Sequence, residues 1–300
     1  MEKIKNKNKI SVVILAYRPS DKLAKNILMC QKQNIHIEEI IIMCTDFFCF
    51  YDNMSEECAE VIKKNIEEKK VIVYKIDKKD FNHGRTRNIA VNNTKGDFIL
   101  FMTDDAVMGD EKVVSELFDS FNEDNVAVSY ARQFANTESK FTEKLVREFN
   151  YPKYDIIKSK KTEKELGIKN YFVSNVCAMY DKEIFLNHNG FRENILLNED
   201  MIYSYKVINN GYSVYYKSTA IVYHSHDFSY IEQFKRNYLI GHSQKDETRV
   251  FKNVKSEKEG FKLVKFVSVE CIKKFKIISL IDFYFNCIFR YMGYLLGKFF

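Results

Sequence analysis

Four short apolar runs, each followed by a stretch of helical periodicity, occupy the first third of the chain: ISVVILA (10–16), EIIIMC (39–44), VIVYKI (71–76) and DFILFM (97–102). Each is of strand length and too short for a buried helix. Between them, Leu23, Ile27 and Cys30 share one helical face, as do Cys58, Val61, Ile62 and Ile66 within 55–69, and a short helix is expected within 82–93. Strands alternating with helices define an α/β chain with a mostly parallel, doubly wound, Rossmann-like sheet. Right-handed crossovers gather the strand C-termini on one edge, where open α/β sheets bind ligands. Ala16-Tyr17-Arg18, Cys44-Thr45-Asp46, residues 77–84 and Thr103-Asp104-Asp105 are therefore expected to meet there.

No GxGxxG follows the first run and no P-loop lysine motif is present, which speaks against a dinucleotide oxidoreductase and a P-loop ATPase. With 300 residues the chain can form one large domain or a domain with an appendage. Two prolines and ten glycines disfavour an all-β or low-complexity fold. The seven cysteines form no CxxC pair, and several sit in apolar runs, as reduced core cysteines do, implying a reducing cytoplasm. The basic N-terminus, MEKIKNKNKI, enters only a short apolar run, so no signal peptide of the usual kind is expected. A net charge of +6 permits an anionic partner without demanding one; no nucleic-acid partner is expected.

Further along, the pattern predicts a helix over 111–121, a strand over 126–131, a charged helical stretch over 138–169 broken at Tyr151-Pro152, and a strand over 171–180. A helix over 198–209, two strands (212–216 and 219–224) joined by Lys217-Ser218, and a helix over 228–241 follow. Residues 261–300 differ in composition, with seven basic against two acidic residues among abundant Phe, Ile, Leu and Tyr. The best membrane-spanning window, 277–297, contains Asp282 and Arg290, each costing roughly 2.5–3.5 kcal/mol at a helix centre. A basic amphipathic helix on a membrane surface fits better; a terminal helical hairpin packed on the domain, or a dimer contact, is the alternative. The expected organisation is a domain over 1–245 (halves 1–106 and 107–245) and a basic helical tail over 246–300.

Four constellations can carry chemistry. Asp104 and Asp105 end an apolar strand. Burying charge is costly unless it is paired or metal-bound, and Mg²⁺ or Mn²⁺ binds through one or two carboxylates plus substrate phosphates; only one of two adjacent side chains need face the site. In FNHGRTRN (81–88), Gly84 permits close backbone approach, the following helix offers its N-terminus to an anion, and Arg85 and Arg87 are candidate phosphate contacts. A capped helix start with solvated arginines is the plainer alternative. Glu199 and Asp200 begin a helix, where acids complement the dipole or one serves as general base. His224 and His226, two apart, share one face of a strand, as metal ligands or as a polar strand end.

In order and spacing, SVVILAYRPS (11–20), FNHGRTRNIA (81–90), FMTDDA (101–106), VSNVCAMYDKEIF (173–185), NEDM (198–201), GYSVYYKSTAIVYHSHDFS (211–229) and QFKR (233–236) resemble family 2 glycosyltransferases of the GT-A fold, and within them the bacterial rhamnosyltransferases most closely. The resemblance covers about residues 10–245 and implies inverting, metal-dependent sugar transfer from a nucleoside-diphosphate sugar. dTDP-rhamnose is the first donor expected and a UDP-hexose the next; a non-catalytic GT-A-like binding module is the competing class. The basic amphipathic tail suggests work at the inner face of the cell membrane, on a glycan or lipid-linked glycan acceptor. By resemblance, Ala16, Tyr17 and Arg18 line the base and ribose pocket, Asp105 matches the last acid of the DxD metal motif with Asp104 supporting it, and Asp200 matches the catalytic base beside Glu199. His226, or His224, completes the metal site, and His83, Gly84, Arg85, Arg87 and Asn88 lie near the donor. The chain departs from the family at 43–47, where Met-Cys-Thr-Asp-Phe stands in place of Asp-Gly-Ser and Asp46 is the candidate substitute.

Overall fold

A computed structural model describes residues 7–226, 228–247 and 257–300. The start of the chain (1–6) and the junction expected between domain and tail (248–256) lie outside the described residues. One sheet of nine strands runs through the described residues: β1 (Ile10–Tyr17), β2 (Glu39–Thr45), β3 (Val71–Ile76), β4 (Phe98–Thr103), β5 (Val107–Met108), β6 (Val126–Phe134), β7 (Ile156–Lys158), β8 (Cys177–Asp181) and β9 (Ser213–Tyr223). Their order is 3-2-1-4-8-6-9-5, with β7 also paired to β9. The first four strands are parallel, as is β6 with β9; β8, β5 and β7 run antiparallel to their neighbours. The helices are α1 (Asp21–Lys32), α2 (Glu56–Glu67), α3 (His83–Asn92), α4 (Val113–Asp119), α5 (Phe141–Asn150), α6 (Glu163–Leu166), α7 (Lys182–Asn187), α8 (Glu199–Asn209), α9 (Tyr230–Asp246), α10 (Glu257–Lys273) and α11 (Ile277–Phe299).

Alternation along the strands builds two cores. Val12, Ile14, Ile40, Ile42, Leu100 and Met102 face α1, α2 and α4. Val13, Leu15, Ile41, Met43, Ile99 and Phe101 face α3, α7 and α8. Strands buried on both faces read as unbroken apolar runs, and each fully buried aliphatic contributes about 1.5–3 kcal/mol.

Three local expectations are corrected. The apolar stretch at 171–180 enters the sheet only at Cys177; residues 172–176 are irregular and carry Ser174 and Asn175 to the strand edge. The charged stretch at 138–169 is not helical throughout: α5 ends at Asn150 before Pro152, and β7 pairs with β9. The two strands expected at 212–224 are one, β9, whose pairing with β6 shifts register between Ala131 and Arg132. Asp155 pins that irregularity, accepting hydrogen bonds from the Ser218 amide (2.7 Å) and hydroxyl (2.6 Å) and pairing with Lys217.

The tail packs on the domain. The tyrosine at the start of α9, Tyr230, stacks on Phe289 and donates a hydrogen bond to Asp282 of α11. Gly293 and Gly297 let α11 lie directly on the α9 backbone, since a Cβ there would strike the carbonyls of Phe234 and Tyr238. α10 and α11 close a third core, with Val267, Cys271, Leu280 and Phe283 around Leu145 of α5.

Candidate active site

The C-terminal end of β4 delivers two carboxylates that point to different partners. Asp104 turns back to β1 and accepts the Tyr17 amide at 3.0 Å. Burial pushes it up to about 7, opposed by that hydrogen bond and reinforced by the charge of Asp105. Asp105 turns to the end of β9, where its Oδ2 lies 3.4 Å from His224 Nε2 and 3.5 Å from His226 Nε2. One ligand atom from each of the three residues falls within a 4.8 Å cluster. The intervening Ser225 points away and anchors the loop through the Asn136 amide and the Ser139 hydroxyl.

The protonation pattern of this corner follows from its neighbours. Gln133 Nε2 donates to Ser174, and its Oε1 accepts from Arg147 at 2.5 Å. That oxygen lies 3.1 Å from His224 Nδ1, so Nδ1 carries the proton and Nε2 presents a lone pair. Burial lowers the pKa of both histidines, and for His226, with the nearby His224, it does so to about 4, so both rings are neutral at neutral pH. The Asp105 carboxylate, the lone pair of His224 Nε2 and the His226 ring then converge. This donor set fits a divalent cation.

The second pair of acids splits differently. Thr103 N–H donates to Val176 O (3.3 Å), which brings the 174–176 segment to the same edge. There the Asn175 amide donates to Asp200 Oδ2 (3.3 Å) and its side chain to Glu199 Oε1 (3.1 Å). Glu199 is buried against Arg87, with Nη1–Oε1 at 3.0 Å. Asp200 keeps a partly open carboxyl whose Oδ1 accepts the Met201 amide. Burial, with the neighbouring charge of Glu199, pushes it up to about 7, the range in which a carboxylate works as a general base at neutral pH.

The segment expected to hold a phosphate faces inward. Asn82 caps α3, its Oδ1 accepting the amides of Gly84 and Arg85, which occupies the helix N-terminus. Gly84 is required by the backbone of Arg192, which a Cβ would strike. Asn88 clamps Phe191 through both its backbone groups, at 2.8 and 2.9 Å. Arg87 and Glu199, both expected to face substrate, face each other. Only Arg85 projects into solvent; His83 is packed edge-on to Phe81, its pKa lowered by burial and by Arg87.

At the far end of the edge, Arg18 and Asp46 form an ion pair at 2.8 Å. Both adopt left-handed backbone conformations (φ 46° and 62°), which are uncommon for non-glycine residues. Tyr17 lies exposed beside the Arg18 guanidinium. Asp46 thus reaches the corner where Ala16, Tyr17 and Arg18 end β1.

Two residues at the site carry no expected role in the sequence. Gln133 sets the His224 tautomer only because β6 and β9 are neighbours. Arg236, in the QFKR segment, is held over the Phe228 ring, which itself stacks on His226. Among the described residues it has no carboxylate partner.

The fold and the sequence both have relatives. The Glycosyl transferase family 2 profile matches residues 11–188. The O-antigen chain rhamnosyltransferase RfbN of Salmonella typhimurium is 34% identical over 235 residues, 78% of this chain and 71% of RfbN. The O-antigen chain rhamnosyltransferase WbaN of Salmonella anatum is 36% identical over 167 residues, 55% of this chain and 53% of WbaN. Among solved structures, the mannosyltransferase PcManGT from Pyrobaculum calidifontis, in complex with GDP-Man and Mn²⁺, aligns over 98% of this chain and 86% of its own, with a TM-score of 0.61 at 8% identity. S. aureus TarS 1-349 with UDP-GlcNAc aligns over 97% and 90%, with a TM-score of 0.54 at 12% identity. The sheet with its helical C-terminal extension is thus of the GT-A type, and the chain belongs to glycosyltransferase family 2.

Proposed function

We propose that this chain transfers L-rhamnose from dTDP-rhamnose, with inversion at C1, to a hydroxyl of a lipid-linked glycan precursor at the inner face of the cell membrane. The observation that carries this reading is a carboxylate–bis-imidazole corner on the same strand edge as a carboxyl poised near neutrality. The names of RfbN and WbaN support the sugar and the glycan class. Asp200 accepts the proton of the acceptor hydroxyl as that oxygen attacks C1 from the face opposite the diphosphate, so no covalent intermediate is needed. Tyr17 and the Arg18–Asp46 pair line the nucleotide end. Asp105, His224 and His226 would hold the divalent cation, which supplies positive charge for the departing diphosphate. The two imidazoles favour Mn²⁺ over Mg²⁺, which demands a near-ideal octahedron of oxygens.

Asp200→Asn is expected to lower kcat about 10²–10⁴-fold while leaving dTDP-rhamnose binding, read by calorimetry, nearly unchanged; near-normal turnover would remove Asp200 from the base role. The base must be ionised, so the rate should fall as pH drops through about 7 and level off above it. A flat profile from acid to neutral pH contradicts the assignment. In a thermal-shift panel with Mn²⁺, dTDP-rhamnose should stabilise the protein more than any UDP-hexose; the reverse order would transfer the proposal to a UDP-hexose donor.

A further inference from the structure

Large apolar side chains at protein surfaces normally occur singly. Between α10 and α11 they do not. Residues 272–278, Ile-Lys-Lys-Phe-Lys-Ile-Ile, are all exposed. Phe275 is 89% and Ile278 87% accessible, and Ile272 and Ile277 are each more than half exposed. The turn is built, not frayed. The Phe275 amide donates to Ile272 O (3.1 Å) and the Lys276 amide to Cys271 O (2.8 Å). Phe275 holds a left-handed φ of 55°, a position where helix ends usually place glycine. An aromatic ring is thereby held outward in water among three lysines of the same turn, of which Lys273 also pairs with Glu270 and Lys274 lies over the Phe141 ring.

The apolar surface continues from this turn. Ile278, Ile281, Phe285 and Ile288 follow a three–four spacing that puts them on one face of α11, each at least half exposed. The other face is spent on the protein, with Leu280 and Phe283 buried and the glycines against α9. No helix among the described residues is long and apolar enough to cross a membrane. A second copy of this chain is a poor occupant, because a twofold contact through the turn would oppose its lysines to one another.

We infer that the α10–α11 turn is a membrane-insertion apex: Phe275 and Ile278 enter the interface of an anionic bilayer, and Lys273, Lys274 and Lys276 meet its phosphates. This is the shallow mode of an amphipathic element, in which buried apolar area and attraction to anionic lipid act together. The apex also has a defined relation to the site. Asp282, seven residues on and so about 10 Å along the helix, is bonded to Tyr230 at the start of α9. Asp282, Asn286 and Arg290 line a cleft that His226 also lines. The helix that carries the apex thus also lines the cleft at His226, an arrangement that would keep a docked protein's site near an acceptor sugar on a lipid carrier. That consequence rests on the lipid-linked acceptor proposed above; the vesicle binding does not.

The test uses the full chain in flotation with vesicles of phosphatidylcholine alone or with phosphatidylglycerol. Wild type should float with the anionic vesicles only, and less at high salt. Phe275→Ser/Ile278→Ser, both at exposed positions, should bind at least about tenfold more weakly, as should Lys273→Gln/Lys274→Gln/Lys276→Gln. Transfer to a soluble acceptor should be the same in all three proteins, while transfer to a vesicle-borne acceptor falls in the variants. If wild type floats and the Phe275→Ser/Ile278→Ser protein floats equally well, the apex is not the insertion point. If wild type binds neither vesicle, or sediments as a dimer that this double variant dissociates, the surface serves something other than lipid. Loss of transfer to the soluble acceptor in wild type would strike the catalytic proposal and leave the apex standing.

Discussion

Two polar segments, 81–88 and the corner made by 103–105 with 224–226, look equally chemical in the sequence, and they are built in opposite ways. In the first, polar side chains find partners within the chain: Asn82 caps α3, Arg87 meets Glu199, and Asn88 holds the backbone of Phe191. In the second, possible metal ligands converge, with one ligand atom each of Asp105, His224 and His226 within 4.8 Å of one another. Buried polar groups are almost always satisfied internally. The family resemblance places both near the donor; in the structure 81–88 ties α3 to the 190–200 segment through Asn88 and Arg87, and the corner gathers the candidate metal ligands.

The sharpest way to break that distinction is through stability. Arg87→Met leaves Glu199 buried without its cation and should cost about 3–5 kcal/mol, on the order of 10 °C in Tm, read by urea and thermal denaturation. Arg87→Met/Glu199→Leu should recover most of the loss. Asp105→Ala, at the corner, should cost less than Arg87→Met, because Asp105 is partly exposed and its loss leaves no buried charge unpaired. Equal losses at both places would erase the difference between the two segments. A smaller effect is expected at the ring that orients the corner. Gln133→Leu removes the acceptor for His224 Nδ1 and should weaken Mn²⁺ binding about 10–100-fold without unfolding the protein; unchanged affinity would show that the tautomer is not set there.

The same contrast explains what the sequence could disclose. The first four strands and three helices were legible because each is specified locally, by apolar runs buried on both faces and by caps such as Ser55 and Asn82. Asp104, Asp105, Asp200 and the two histidines were legible as residue types in order. The partners that give them their roles were not. Arg87 and Glu199 are separated by 112 positions and Gln133 and His224 by 91, so no window shows that one pair neutralises itself and the other fixes a tautomer. The stretch at 171–176 misled for a related reason: Tyr171 and Val173 are buried, but in a loop that carries Asn175 to Asp200. In the tail, the amphipathic pattern was visible, while the glycines that seat one face on α9 took on meaning only beside the backbone they approach.

The central claim is that Asp105, His224 and His226 form a divalent-cation site that serves the nucleotide sugar. The most direct measurement is a calorimetric titration of Mn²⁺ into the protein with dTDP present, for wild type and for Asp105→Ala. Wild type should bind Mn²⁺ and hold dTDP more tightly in its presence, and Asp105→Ala should lose both responses. A titration in Asp105→Ala indistinguishable from that of wild type would contradict the claim.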